Sequence, residues 1–331
     1  MLHVLPEFSA DALQVDAARE TDRIVAALRT QLRSIRRRGL VLGLSGGIDS
    51  SVSVALAVRA VGARNVQALL MPERDSDPES RRLGELVAAT FGIEPMVEDI
   101  GPTLDALGCY ARRDAAVRSV VPDYGAGWAC KVVIGQSAGG DGYNISSLVV
   151  RAPDGTQTTH RLPLAAYLGV VAATNMKQRT RKQFEYYHAD RLNFAVLGTP
   201  NRLEYDQGFF VKNGDGAADV KPIAHLYKSQ VYALAEYLGV PEEIRRRPPT
   251  TDTYSLPQSQ EEFYFALPYG LMDLCLYGLN HGVAAEAVAA AAKLTEAQVH
   301  HVWRDIAAKR KATQPLHAAP LLVEPVREVE A

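Results

Sequence analysis

Residues 42–51 read Leu-Gly-Leu-Ser-Gly-Gly-Ile-Asp-Ser-Ser, and this stretch decides the fold. The apolar residues 40–44 are typical of a buried strand, and the apolar residues 52–61 after the glycines are typical of a helix. Gly46 and Gly47 permit a tight turn between the two, with backbone angles that are closed to other residues. Because backbone N–H groups and the helix dipole both favour an anion there, the stretch predicts a phosphate-binding loop.

Hydroxyl and carboxylate side chains surround this turn. Ser45, Ser50 and Ser51 add hydroxyl donors, whereas Asp49 would repel a phosphate unless a Mg²⁺ ion lies between them. No Gly-Lys-Ser/Thr follows, so the loop is not the kinase-type phosphate loop. The alternative interpretation is a plain glycine-rich turn between a strand and a helix.

The segments around the turn alternate between strand and helix patterns. Residues 66–71, 93–97 and 194–198 are predicted strands, and the predicted helices include residues 15–38 and 172–190. This alternation predicts an α/β fold with a doubly wound parallel sheet, Rossmann-like, that binds ligands at the carboxyl ends of its strands. The C-terminal third is predicted to be helical.

Residues 110–168 interrupt this alternation. They are rich in glycine, and two stretches with alternating polarity, 145–151 and 156–162, flank a Pro-Asp-Gly turn sequence. The pattern predicts a β-hairpin region inserted into a single domain that spans residues 1–331. A lid, an interface arm and a decoration without function all remain open for it. Residues 315–331 contain three prolines and are predicted to be an extended tail.

Composition excludes several classes of protein. The formal net charge is -2, so nothing points to nucleic acid or an anionic membrane surface as a partner. No apolar run is long enough to span a membrane, and no signal peptide is recognisable. The three cysteines, Cys109, Cys130 and Cys275, are too far apart for a zinc or redox motif and too few for a disulfide framework. We therefore expect a cytoplasmic protein.

Further motifs follow in the second half of the chain. They are Asn175-Met176-Lys177-Gln178-Arg179-Thr180-Arg181, Leu197-Gly198-Thr199-Pro200-Asn201-Arg202-Leu203-Glu204, Lys212-Asn213-Gly214-Asp215-Gly216-Ala217-Ala218-Asp219, Pro222-Ile223-Ala224-His225-Leu226-Tyr227-Lys228 and Pro248-Pro249-Thr250. With the glycine-rich loop, in this order and spacing, the chain resembles the ammonia-dependent NAD synthetases of the ATP pyrophosphatase superfamily. The resemblance covers roughly residues 20–105 and 170–275.

The resemblance implies a reaction and its partners. Members of that family are homodimers that adenylate the carboxylate of deamido-NAD with ATP and Mg²⁺, release pyrophosphate, and let ammonia displace AMP to give NAD. No glutaminase region is recognisable, so free ammonia or a separate ammonia-supplying protein is the expected nitrogen source. The alternatives are a related ligase that amidates a different carboxylate, a nucleotide-binding protein that has lost turnover, and a tRNA-thiolating relative.

The resemblance also implies roles for individual residues. It assigns catalysis to Asp49 and Lys228, and Mg²⁺ binding to Asp49 and Glu204. It assigns ATP contacts to Ser45, Gly46, Gly47, Asp49, Ser50, Ser51, Met71, Thr199, Lys228 and Thr250. It assigns substrate contacts to Arg179, Arg181, Lys212, Asp215 and Asp219. Plainer roles stay open: Lys228 as a solvated helix residue, Glu204 as a helix cap, and Arg181 as a structural residue.

Three features depart from the family pattern. Ala217 stands where a glycine is expected, residues 110–168 have no counterpart in the compact bacterial enzymes, and residues 251–262 are unusually polar and aromatic. All three concern the part of the chain expected to handle the carboxylate substrate. We therefore expect the ATP-binding half to match the family more closely than the carboxylate-binding half.

Overall fold

The structure is a computed structural model that describes residues 8–135, 145–250, 253–258, 264–265, 267–326 and 328. The described strands are β1 Leu40–Gly43, β2 Val66–Leu70, β3 Met96–Val97, β4 Ala129–Gly135, β5 Ile145–Arg151, β6 Gln157–Arg161 and β7 Ala195–Val196. The described helices are α1 Ala17–Ser34, α2 Ile48–Val61, α3 Pro78–Thr90, α4 Gly101–Ala106, α5 Cys109–Arg118, α6 Leu164–Leu192, α7 Arg202–Gln207, α8 Lys228–Leu238, α9 Glu242–Arg246, α10 Tyr269–His281, α11 Ala285–Ala292 and α12 Glu296–His317.

A four-stranded sheet forms the centre of the fold. Its order is β3-β2-β1-β7 and every neighbouring pair is parallel, with Leu40 opposite both Val66 and Ala195. A single parallel bridge between Leu197 and Val220 extends the sheet beyond β7. The predicted doubly wound parallel sheet is confirmed. The strand predicted at residues 194–198 is shorter in the structure, with β7 at Ala195–Val196 and Leu197 in the single bridge.

Helices cover both faces of this sheet. Leu40 and Leu42 pack in one buried cluster with α1, α2 and α8, whereas Val41 packs in another with Ala189 of α6. Successive residues of a strand point to opposite faces, so an apolar strand such as β1 requires a cover on each side. Because the strands are parallel, the loops that lead from each strand to the next helix all lie at the carboxyl edge of the sheet.

Strands β4, β5 and β6 form a second sheet, which we call the inserted sheet. It is antiparallel with the order β4-β5-β6, and β5 and β6 pair across the Pro-Asp-Gly turn. The sequence pattern did not predict β4, which pairs along β5. Residues 110–168 also contain most of α5 and the first turn of α6, so the helix predicted at residues 172–190 begins earlier, at Leu164.

The C-terminal helices form a third buried cluster, which includes Phe265, Cys275 and Ile306. Helix α12 continues to His317 with Pro315 inside its last turn, so the extended tail predicted from residue 315 begins only after residue 317. The ammonium group of Lys212 donates to the carbonyls of Pro315 and Ala318, which offsets hydrogen bonds that the helix end cannot make. No described helix is long and apolar enough to cross a membrane.

Candidate active site

A cavity of about 930 Å³ opens where β1, β2 and β7 end. Most residues predicted to bind ligands line it: Ser45, Gly46, Gly47, Asp49, Ser50, Met71, Arg179, Arg181, Thr199, Glu204, Lys212, Asp215 and Thr250. Three do not: Ser51, Lys228 and Asp219. The parallel sheet thus brings together side chains from distant parts of the sequence at its carboxyl edge.

The glycine-rich loop joins β1 to α2 as the sequence predicts. Gly46 has a φ of +72°, and a Cβ there would lie 2.6 Å from the Cβ of Leu83, so both its conformation and its packing require glycine. Gly47 is different, because its φ of -82° and ψ of 162° are open to any residue. The expectation that both glycines adopt special backbone angles is therefore wrong for Gly47, which serves as the N-cap of α2.

The serine hydroxyls of the loop divide into two groups. The Oγ atoms of Ser45 and Ser50 lie 3.2 Å apart, and both residues line the cavity. Ser51 is fully buried and its Oγ donates to the carbonyl of Gly47 at 2.7 Å. Ser51 therefore fixes the first turn of α2, and its predicted contact with ATP is not supported by its position.

Asp49 lies at the centre of a charged cluster. One carboxylate oxygen, Oδ2, accepts from the ammonium of Lys228 at 2.5 Å, and Oδ1 accepts from the side-chain amide of Asn201 at 3.1 Å. Lys228 is fully buried at the start of α8, so the alternative of a solvated helix residue is wrong. Asp49 and Lys228 lie in the first turns of α2 and α8, and Asn201 precedes the first turn of α7, which contains Glu204. We call Asp49, Glu204 and Lys228 the loop cluster.

Glu204 caps the start of α7 and also belongs to the loop cluster. Its Oε2 accepts from the backbone N–H of Asn201 at 3.1 Å, while the Asn201 side chain accepts from the N–H of Glu204 at 3.3 Å, which is a capping box. Burial, and then the nearby Asp49 carboxylate, raise the pKa of Glu204 well above its usual range, and Lys228 offsets this only in part. The loop cluster therefore has two carboxylates and one lysine, and it carries an excess of negative charge only when Glu204 is ionised, a state that a bound cation would favour.

The donors of the loop cluster suit a hard cation such as Mg²⁺. That ion prefers oxygen ligands and commonly takes one or two carboxylates, with water and phosphate oxygens completing its shell. Within the described part of the chain, no three His, Cys, Asp or Glu side chains come together as a metal-binding group. Two carboxylates beside a phosphate-binding loop therefore fit the way in which Mg²⁺ accompanies a nucleotide.

Asp273 of α10 positions Lys228, a role that the sequence analysis did not predict. Its two carboxylate oxygens accept from the backbone N–H groups of Lys228 at 3.2 Å and of Ser229 at 2.7 Å. It therefore caps α8 from a different helix, and burial raises its pKa to about 6. No local pattern predicts this contact, because 45 residues separate Asp273 from Lys228.

The residues predicted to bind the substrate lie at another part of the cavity wall. The guanidinium of Arg179 donates to the carbonyl of Lys212 at 3.2 Å, and the carboxylate of Asp215 accepts from the N–H of Val211 at 2.8 Å. Asp219 lies outside the cavity lining, and its carboxylate accepts from the N–H of Val196 at 2.7 Å. Asp219 therefore holds the end of β7, and its position does not support the predicted substrate contact.

Two of the departures from the family pattern can be located in part. Ala217 does not line the cavity, so its methyl group does not narrow it. Within the polar and aromatic stretch 251–262, residues 251–252 and 259–262 lie outside the described residues. The described remainder, 253–258, lies against the inserted sheet and contributes Thr253 and Tyr254 to the cavity wall.

The structure contains a second charged cluster, which the sequence analysis did not predict. After β2, the carboxylates of Glu73 and Asp75 accept from the ammonium of Lys177 at 2.9 and 2.7 Å, and Arg113 donates to Asp75 at 2.5 Å. The hydroxyl of Tyr110 donates to Glu73 at 2.8 Å. Lys177 therefore serves this cluster rather than a ligand, although it lies on the same helix face as Arg181. We call these five residues the β2 cluster.

The fold and the site define the class of protein first. A doubly wound parallel sheet with a glycine-rich, acidic loop at the start of α2 is a nucleotide-binding α/β architecture of a type other than the kinase-type loop proteins. The NAD synthase family model matches residues 20–119 and 157–314 of the chain. The chain therefore belongs to the NAD synthase family. The unmatched residues 120–156 contain β4 and β5.

Individual relatives agree with this assignment. The chain is 76% identical over 323 residues to the NH(3)-dependent NAD(+) synthetase of Rhizobium meliloti strain 1021, covering 98% of this chain and 97% of that protein. It is 68% identical to the protein of the same name from Rhizobium rhizogenes strain K84, covering 98% of each. The solved NH3-dependent NAD synthetase of Campylobacter jejuni has the same fold, with a TM-score of 0.62 at 21% identity over 94% of this chain and all of that one.

Proposed function

We propose that the chain is an ammonia-dependent NAD synthetase that amidates deamido-NAD at the expense of ATP. In the first step, a carboxylate oxygen of the nicotinate attacks the α-phosphorus of ATP, and the bond to the β-phosphate oxygen breaks to release pyrophosphate. In the second step, the nitrogen of ammonia attacks the acyl carbon, the bond to AMP breaks, and the amine loses a proton. The products are NAD, AMP and pyrophosphate.

The chemistry explains why ATP is needed. A free carboxylate is a poor acyl donor, because displacement by ammonia would require an oxide to leave. Its adenylate has a good leaving group in AMP. The first step concentrates negative charge on the phosphorus centre and on the departing pyrophosphate, so fixed cations and N–H groups near that point accelerate it.

The residues of the loop fit this demand. The N–H groups at the start of α2 and the hydroxyls of Ser45 and Ser50 would bind the phosphates of ATP. Lys228, whose pKa is held above its ordinary value by Asp49 and Glu204 against the effect of burial, stays charged behind Asp49, outside the cavity lining. Asp49 and Glu204 would hold Mg²⁺, which when bound neutralises charge on the pyrophosphate. Thr199, Met71 and Thr250 would contact the nucleotide, and Arg179, Arg181, Lys212 and Asp215 the dinucleotide.

The observation that carries this proposal is the loop cluster itself. Its carboxylates outnumber its lysine, it lies at the N-terminus of α2, and it borders the cavity in a chain of the NAD synthase family. A buried group of this kind is costly unless a cation joins it. A nucleotide carried with Mg²⁺ supplies that cation together with the phosphates that the loop can bind.

The experiment is an assay of the purified protein with ATP, Mg²⁺, ammonium and deamido-NAD, in which AMP and NAD are both followed. We expect the two products in equal amounts, with no NAD when ammonium is left out. Glu85→Gln serves as a control, because Glu85 is exposed on α3 in a surface ion pair. Nucleotide binding without NAD formation would contradict the proposal and point to a different carboxylate.

We also propose that the protein is a cytoplasmic homodimer. Leu164 and Leu168 are 72% and 54% exposed one turn apart on α6, an apolar pair that a second copy would cover. The three cysteines are buried and free, as suits a reducing compartment. Sedimentation at micromolar concentration should give twice the chain mass of 36.0 kDa, and a monomer under these conditions would contradict the dimer.

A further inference from the structure

Residues 253–258 run along the free edge of the inserted sheet. The N–H of Leu256 donates to the carbonyl of Cys130 at 3.2 Å, and the hydroxyl of Ser255 accepts from the N–H of Cys130 at 2.9 Å. The side-chain amide of Gln258 donates to the carbonyl of Val132. The segment therefore uses edge groups of β4 that face away from β5, the strand that β4 pairs with among the described strands.

Side-chain packing strengthens this contact. Leu256 is 4% exposed and packs with Ala129 of β4 and Val149 of β5 in a small buried cluster. Tyr254 is buried in a separate cluster with residues of β4, β5, α5 and α6. The contacts join two parts of the chain that are about 125 residues apart, as the hydrogen bond from Cys130 to Ser255 shows.

The segment also reaches the loop after β2, which lies beside the phosphate-binding loop. The carbonyl of Thr253 accepts from the ammonium of Lys177 at 2.9 Å, and Lys177 in turn binds Glu73 and Asp75 in the loop after β2. That loop lines the cavity next to the phosphate-binding loop. Thr253 and Tyr254 line the same cavity, and so does Val132 of the inserted sheet.

From these contacts we propose that the inserted sheet is a positioning element of the nucleotide site. It holds residues 253–258 as a fixed part of the cavity wall, with Leu256 and Gln258 as positioning residues. The inference rests on the proposed function only in taking ATP as the ligand of this cavity. This use differs from the three that the sequence left open for the inserted region, which were a lid, an interface arm and a decoration without function.

Conformational entropy explains why fixing residues 253–258 should favour nucleotide binding. A segment that is free in the unliganded protein loses conformational freedom when a ligand orders it, and that loss weakens the observed affinity. A segment already fixed by a sheet edge and a buried leucine avoids this loss. Freeing the segment should therefore weaken nucleotide binding without changing any residue that contacts the nucleotide.

The test compares two leucine truncations. Leu256→Ala removes the side chain that packs on the inserted sheet, whereas Leu238→Ala removes an equally buried leucine at the end of α8, away from the cavity. Hydrogen exchange of peptides covering residues 253–258 and calorimetric titration with ATP in the presence of Mg²⁺ are measured for each. Gln258→Ala, which removes one hydrogen bond, is the milder second variant. Leu256→Met is the conservative control, because it keeps a large apolar side chain at this position and should behave like wild type.

We expect Leu256→Ala to speed exchange of the segment and to raise the Kd for ATP roughly tenfold, with Leu238→Ala within twofold of wild type in both. Unchanged exchange in both Leu256→Ala and Gln258→Ala would show that the sheet does not hold the segment. Faster exchange with an unchanged Kd would show that its position does not matter for the nucleotide. Either result overturns the inference. A wild-type protein that binds ATP yet makes no NAD would contradict the proposed function alone.

Discussion

The two buried charge clusters beside the cavity resemble each other in composition and differ in balance. In the β2 cluster, Glu73 and Asp75 face the cations Lys177 and Arg113. At its rim Arg74 pairs with Asp75 and Asp114 pairs with Arg113, so positive and negative charges are equal in number. In the loop cluster, Lys228 pairs with Asp49, and Asp49 raises the pKa of Glu204 more than Lys228 lowers it. Both clusters lie at the ends of parallel strands, and both contain a lysine that is almost completely buried.

The pKa shifts of the acids show the consequence. Burial alone would raise the pKa of Asp75, but Lys177 and Arg113 hold it below its ordinary value. Burial and Asp49 together raise the pKa of Glu204, and Lys228 does not overcome them. A balanced cluster is complete without a ligand, whereas an unbalanced one favours an additional cation. The comparison therefore separates a structural cluster from a site.

The largest effect is expected when the balanced cluster loses a cation. Lys177→Met leaves Glu73 and Asp75 with one buried partner fewer, and we expect the free energy of unfolding to fall by about 3–5 kcal/mol. Denaturant titration measures this. Arg81→Met, which breaks an exposed ion pair with Glu85, should cost at most about 0.5 kcal/mol. An equal loss in both variants would show that the β2 cluster contributes no more than a surface pair.

Acid-to-amide changes should separate the clusters by readout. Asp49→Asn should lower kcat/KM about a thousandfold, or about 4 kcal/mol, with a small change in stability, because it removes charge where the phosphates react. Asp75→Asn should do the reverse, lowering the melting temperature with much less effect on kcat/KM per folded molecule. Kinetics and thermal unfolding of both variants decide this, and similar kinetic losses would remove the distinction.

Asp273 is a third case, a buried acid whose pKa burial raises to about 6, although hydrogen bonds from Ser229 and Lys228 lower it in part. The unfolded chain releases this proton near pH 4, so between about pH 4 and 6 the folded protein binds more protons than the unfolded one. The contribution of Asp273 to stability is therefore present below pH 4 and lost as pH rises through 6.

Asp273→Asn cannot titrate and isolates this effect. The stability of wild type relative to Asp273→Asn should fall by about 2 kcal/mol between pH 4 and pH 7. Any loss from the missing hydrogen bond to Ser229 is independent of pH and cancels in the difference. A difference that stays constant over this range, measured by denaturant titration, would show that the pKa of Asp273 is not raised.

The sequence predicts the loop cluster better than the β2 cluster for a physical reason. Gly46 and Asp49 belong to one short turn whose pattern predicts an anion site, whereas Glu204 and Lys228 were assigned through the resemblance to the family. Lys177 finds its acids about a hundred residues away. Nothing in the residues near Lys177 distinguishes a buried ion pair from a phosphate contact.

The same limit applies to the parts of the fold that depend on distant contacts. The parallel sheet follows from apolar runs such as residues 40–44. In contrast, β4 and its contact with residues 253–258 depend on distant segments of the chain that meet only after folding. Asp219 and Ser51 have plausible residue types in plausible places, yet their side chains bind backbone groups instead. Residue type and spacing predict which groups gather at an edge, and only the fold decides which of them face the cavity.

The most direct test of the unbalanced loop cluster is the Kd for ATP with Mg²⁺ and with EDTA, in wild type, Asp49→Asn and Asp75→Asn. We predict that Mg²⁺ tightens binding about tenfold, or about 1.4 kcal/mol, in wild type and in Asp75→Asn, and that the ratio approaches one in Asp49→Asn. A ratio that survives in Asp49→Asn, or disappears in Asp75→Asn, would contradict the assignment of the metal to the loop cluster.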